Sequence, residues 1–151
     1  MAGLFYEEFS PGRIFAHELR RTVTETDNLL ITALTHNTAA LHLDAEAMRQ
    51  SEFGEILVNS CFTLSLMVGV SVSDTTQGTA IANLGWDEVR FARPVFVGDT
   101  LRVETEVETM RESRSRADAG IVSFVHRAFN QRAEEVASCK RHALMKKRPA
   151  L

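Results

Sequence analysis

Alternation is cleanest in LRVETEVET, where Leu101, Val103, Thr105 and Val107 point one way and Arg102, Glu104, Glu106 and Glu108 the other. Side chains on a strand change face at every residue, so this reads as a strand with one buried and one wet face. Similar runs cover Ala80 to Arg90, Thr100 to Glu112, Gly120 to Asn130 and Glu135 to Leu144. They are divided by the turn-forming points Pro94, Gly98-Asp99, Ala117 to Gly120 and Asn130-Gln131, which predicts an antiparallel sheet with one solvated face. Before it the pattern changes. Ile56 to Ser73 carries no charge, and its apolar positions Phe62, Leu64, Leu66, Met67, Val68, Val70 and Val72 cover nearly every side of a helix, which predicts a helix wrapped on all sides. Polar breaks at Asn59, Ser60, Thr63, Ser65 and Ser71 set it apart from a membrane span, which needs about 20 mainly apolar residues. Upstream, Arg13 to Val23 reads as a strand, and Thr22, Thr24 and Asp27 as caps for a short helix over Leu29 to Leu34. A polar loop, THNTAALHLD, leads into a short helix at Ala45 to Gln50 that Asp44 caps.

A strand, short helices, one apolar helix and then four antiparallel strands suggest an α+β hotdog fold, a sheet wrapped around a central helix, with a generic α+β sandwich as the alternative. A sheet of this kind leaves an edge strand uncovered, so the expectation is a homodimer or dimer-based oligomer. The 151 residues contain no repeat, low-complexity tract or linker, and suit one domain over 1–151. Seventeen basic against 20 acidic residues give a net charge of −3, which lacks the positive field that nucleic-acid binding needs. The two cysteines, Cys61 and Cys139, sit in apolar segments without CxxC spacing, so neither a disulfide framework nor a metal site is indicated, and Cys61 reads as buried filler. With no basic region and apolar stretch at the amino terminus to act as a signal peptide, the expected location is the cytoplasm. No Rossmann fingerprint or P-loop is present.

FARPVFVGDTL, Phe91 to Leu101, resembles the strand-turn-strand signature of the MaoC-like acyl-CoA hydratases and dehydratases. The resemblance continues through ALTHNTAALHLDAEAM and FGEILVNSCFTLSLMVG, similar to that family's catalytic loop and central helix, and runs from about Phe5 to Met145. The family pattern places an Asp five residues before a His, an acidic residue two further on, and a His-Gly pair near the helix start. His42 and Asp44 match. Asn37 stands at the Asp position, Ala40 replaces a Pro, and Asn59-Ser60 replace His-Gly. These departures are similar to an Asn-containing branch that includes hydratases of mesaconyl-, itaconyl- and methylmalyl-type CoA thioesters.

The resemblance implies addition or removal of water across the 2,3 bond of an enoyl-CoA, with a branched C4/C5 dicarboxylyl chain. It implies His42 as acid and base, Asn37 holding the water or the imidazole, and CoA present only as part of the substrate, with no separate cofactor. Such chemistry needs a group near neutral pKa to move protons and N–H donors for the developing enolate. Those donors are expected at the first turn of the central helix, near Ser60 and Cys61, with Asn59 lining the pocket or capping the helix. His126 and His142 read as sheet residues and Asp44 as a cap. Arg111, Arg114 and Arg116, at a hairpin tip, are either a solvated loop or a site for CoA phosphates or a substrate carboxylate. The basic tail, Lys140 to Arg148, reads as a solvated end that helps attract an anionic ester. The competing functions are a hotdog protein that binds acyl-CoA without catalysis, and a thioesterase, which would need a water-activating carboxylate where Ile56 to Ser73 has none.

Overall fold

The computed structural model describes residues 3–149. Five strands lie in the order β1-β4-β5-β6-β3, all antiparallel: β1 (Ile14–Ala16), β3 (Ala80–Phe91), β4 (Thr100–Glu112), β5 (Ala119–Phe129) and β6 (Glu135–Lys146). A two-residue β2 (Arg21–Thr22) also pairs with β4. The helices are α1 (Glu25–Leu34), α2 (Ala40–Leu43), α3 (Ala45–Arg49) and α4 (Ser60–Thr75), and α4 packs on β4, β5 and β6. This is the α+β hotdog arrangement.

Several expected element bounds need correction. The strand expected over Arg13 to Val23 is two strands. Ala16 pairs with Glu104 and Arg21 with Leu101, so five steps on one side match three on β4, and the excess leaves the ladder. His17 turns into the core there, while Glu18 to Arg20 stay outside. The helix over Leu29 to Leu34 starts a turn earlier, because Thr24 accepts from Asp27 N and the Asp27 carboxylate accepts from Thr24 N, a reciprocal cap. Finally, α4 begins at Ser60 instead of Ile56. Leu57 bridges Phe96 and Val58 N donates to Val95 O at 2.9 Å, holding that stretch extended.

Nor is α4 wrapped on all sides within one protomer. Thr63, Met67, Val70, Ser71 and Thr75 face the sheet, whereas Cys61, Ser65, Gly69 and Ser73, four residues apart, face outward. Cys61 is therefore exposed and not filler; Cys139 is the buried cysteine, and burial pushes its thiol up to about 11. Met67, Val70, Leu101, Val103, Val136 and Cys139 form one core cluster, and Phe9, Val107, Val122, Phe124 and Met145 a second.

Between α4 and the sheet runs a polar thread. Asp74 Oδ2 lies 2.6 Å from His17 Nδ1, His17 Nε2 lies 2.8 Å from Thr105 Oγ1, and Thr105 Oγ1 lies 2.8 Å from His126 Nδ1. His126 is fully buried and Arg141 nearly so, its guanidinium over the Phe124 ring at 5.4 Å. His126 Nε2 and Arg141 Nε have no protein partner among the described residues. Desolvation, followed by the charges of Arg141 and His17, pushes the His126 imidazole down to about 3.

At the far edge, β3 pairs only with β6, and Gly85 and Glu88 take positive φ where its register slips. Leu84, Trp86, Val89 and Phe91 on this strand are exposed. Among the described residues no helix is long and apolar enough to cross a membrane.

Candidate active site

α1 buries its polar side. Asn28 and Thr32, four residues apart and thus on one face, are 2% and 1% exposed, while Leu30 and Leu34 are exposed. The buried pair is satisfied by a network. Asn28 Nδ2 donates to His42 O at 3.0 Å and Asn28 Oδ1 accepts from Asn59 N at 2.9 Å. Asn59 Nδ2 donates to Thr32 Oγ1 at 3.2 Å, and Asn59 Oδ1 accepts from Cys61 N at 3.0 Å. Asn59 thus caps α4 and ties it to α1, and it does not line the cavity. Sequence reasoning missed Asn28 and Thr32; their i,i+4 spacing was the available signal.

The segment expected as a loop around His42 is the single turn α2. Asn37 sets it up: its N donates to Thr32 O at 3.0 Å, and its Oδ1 accepts from Ala39 N at 2.9 Å, just before the turn. The His42 ring is buried, and its Nδ1 donates to Leu57 O at 2.9 Å. A carbonyl only accepts, so Nδ1 holds a hydrogen and Nε2 of the neutral ring carries the lone pair. Asp44 caps α3, its Oδ1 accepting from Glu46 N and Ala47 N.

His42 lines a cavity of about 490 Å³ with Leu41, Phe53, Leu57, Ser60, Thr63, Phe91, Arg93 and Val95 among its walls. A smaller cavity of about 220 Å³, bordered by Glu25, Asn28 and Glu55, also touches His42. The larger is apolar except for one imidazole, two hydroxyls and one guanidinium, the usual makeup of a small-molecule site. The structure brings His42 and Ser60 together there. Asn37, Asn59 and Cys61 lie outside its lining. Of the first-turn amides, Cys61 N is taken by Asn59 Oδ1 and Phe62 N by Asn59 O, while Ser60 N has no partner among the described residues.

Arg111 and Arg114 line a separate surface hollow with Ser113 and Ser115, and Arg116 is held bidentately by Asp118. Within one protomer none of the three borders the His42 cavity. An open groove of about 860 Å³ near Lys146 to Pro149 is larger than the His42 cavity, and three of its four cations are paired with acids, Lys147 with Glu112, Arg148 with Glu8 and Arg116 with Asp118, while Lys146 donates to Gly78 O. Arg93 was not singled out from sequence. Among the described residues no group of three or more His, Cys, Asp or Glu side chains is arranged to hold a metal ion.

The class defined so far is a hotdog sheet in which a buried His and the first residue of the central helix line one cavity. The chain belongs to the MaoC-like family, matching the MaoC like domain over residues 8–127. It is 35% identical over 97% of its length to a mesaconyl-CoA hydratase from Cereibacter sphaeroides, and 31% identical over 97% to a β-methylmalyl-CoA dehydratase from Chloroflexus aurantiacus. The chain spans 42% and 41% of those two proteins. A solved Archaeoglobus monoamine oxidase regulatory protein superposes with a TM-score of 0.87 at 32% identity, covering 99% of this chain and 98% of that one.

Proposed function

We propose that this chain hydrates, and in reverse dehydrates, the 2,3 bond of an enoyl-CoA thioester bearing a branched C4/C5 dicarboxylyl chain. The observation that carries this reading is His42, fixed through Nδ1 on Leu57 O, with Nε2 left for chemistry at the wall of an apolar cavity. Nε2 takes a proton from water as the hydroxyl adds to the β-carbon. The electron pair moves to the thioester oxygen, which Ser60 N–H stabilises with the N-terminal dipole of α4. The imidazolium then returns the proton to the α-carbon. Among the described residues no Asp or Glu lines this cavity, so one imidazole makes both transfers, and proton and hydroxyl enter the same face. Asn37 is a positioning residue, holding the chain that starts α2. The similarity to a mesaconyl-CoA hydratase supports the dicarboxylyl substrate, and CoA takes part only as the substrate's carrier.

The test mixes purified protein with mesaconyl-CoA and follows the conjugated thioester absorbance together with a thiol reagent. Falling absorbance without free thiol is the expected result; free thiol signals hydrolysis, and no change favours an acyl-CoA binding protein. Against hydrolysis, the single carboxylate of α4, Asp74, lies in its last turn and is bound to His17.

Two copies joined along β3 complete the proposal. That edge exposes Leu84, Trp86, Val89 and Phe91, and Phe91 also lines the His42 cavity, so pairing there would close the cavity's wall. Light scattering at dilute concentration should give twice the monomer mass, and a fully active monomer overturns it.

A further inference from the structure

Arg93 is the one arginine among the described residues that line the His42 cavity, and no Asp or Glu is among them. Its backbone is fixed: Ala92 N and Arg93 N both point at Val136 O, at 2.9 and 3.4 Å, and Pro94 follows with its φ locked. Its side chain is loosely held. The only carboxylate near it among the described residues is Glu134, at 3.7 Å from Nε, beyond hydrogen-bonding distance. Glu134 is already occupied, its Oε2 accepting from Asn130 Nδ2 at 2.8 Å and Arg132 Nε at 2.9 Å, and these bonds hold its carboxyl below the usual range. Arg93 thus presents a half-exposed planar fork, already fixed at its base, beside an apolar chamber with no anion of its own.

We infer that Arg93 binds an oxyanion of the substrate within this cavity. The inference rests on the acyl-CoA reading above and adds the residue that holds the ester's anion. A carboxylate and a phosphate both match the guanidinium fork, so the anion is the distal carboxylate of the acyl chain or a phosphate of CoA. Without that contact the carboxylate of a dicarboxylyl chain would enter an apolar chamber unpaired, which is unfavourable.

The experiment measures binding of two saturated esters, methylsuccinyl-CoA and butyryl-CoA, and of the corresponding pantetheine thioesters, to the parent, Arg93→Gln and Arg93→Lys by calorimetry. Arg93→Gln should weaken methylsuccinyl-CoA by about 10–100-fold, the range for loss of a charge-assisted hydrogen bond, with Arg93→Lys falling between. A loss confined to the two methylsuccinyl thioesters assigns the carboxylate; a loss on both CoA esters and neither pantetheine thioester assigns the phosphate. All four affinities within twofold of the parent in Arg93→Gln overturn the inference. So does an equal loss on all four accompanied by a lower melting temperature, or a parent that binds none of them at millimolar concentration. The esters are saturated, so a parent that binds them but leaves mesaconyl-CoA unchanged overturns hydration while Arg93 keeps its role.

Discussion

His126 offers a test of the core that is independent of any substrate. In the folded protein its imidazole is fully buried and depressed to about 3, against an ordinary value of 6.5. Between those two values the unfolded chain binds a proton that the folded chain refuses. Stability therefore rises with pH across this window and falls as acid is added, by at most about 1.4 kcal/mol per pH unit. From pH 6.5 to pH 4 the ceiling is about 3 kcal/mol, a large share of the 5–15 kcal/mol that typically holds a domain together. His126→Phe removes the proton site and fills similar space beside Phe124, while the Thr105 hydroxyl keeps its bond to His17. Urea denaturation at pH 4, 5, 6 and 7, at fixed protein concentration, gives the slope for parent and variant. Carboxylates held low by their partners, such as Asp27 and Glu134, add an acid slope to both proteins, so the difference between slopes is the readout. A parent slope steeper by about 1 kcal/mol per unit between pH 4 and 6 is expected. Parallel curves would refute the burial argument.

Replacing His42 by Ala should lower turnover at least about 100-fold, in the range for loss of a general acid–base group, with secondary structure retained by circular dichroism; activity within a fewfold of the parent removes His42 from the chemistry. Asn37→Asp keeps an acceptor for Ala39 N and should retain turnover within about fivefold, whereas Asn37→Ala frees the chain before α2 and should lower kcat more than it changes KM. Equal kcat values for these two variants, measured on mesaconyl-CoA, would show that the Oδ1 bond does not position His42. Asn59→Ala removes the cap on Cys61 N and leaves the Thr32 hydroxyl without its amide donor, a loss of about 1–3 kcal/mol in urea denaturation, and a change under 0.5 kcal/mol counts against the network.

The sheet is legible where one of its faces is wet. LRVETEVET alternates because its outward positions meet water, and β4 occupies the expected residues from Thr100 to Glu112. The start of α4 is not legible, because Ile56, Leu57 and Val58 suit a helix or an extended stretch equally, and the bridge from Leu57 to Phe96, 39 residues along the chain, decides between them. α1 misleads for a related reason. Amphipathic reading assigns its leucines to the core, but the buried face is Asn28 and Thr32, whose partner Asn59 lies 31 and 27 residues away. His42 and Ser60, to which the resemblance points, line one cavity. Arg93 was passed over because FARPVFV reads locally as a hairpin approach; its one signal is a lone cation in an otherwise apolar run.

Thr105 has a further consequence. Its hydroxyl touches an imidazole on each side, His17 Nε2 and His126 Nδ1, yet it has a single hydrogen to give. Asp74 accepts from His17 Nδ1, so a neutral His17 takes the Thr105 hydrogen at Nε2. His126 must then donate from Nδ1, and its buried Nε2 is an empty lone pair in the same core as the unpartnered Arg141 Nε–H. The row thus reads in one direction, from the deepest imidazole of the sheet outward to the half-exposed Asp74 carboxylate, and by accepting from His17 that carboxylate fixes which nitrogen of each imidazole carries its hydrogen.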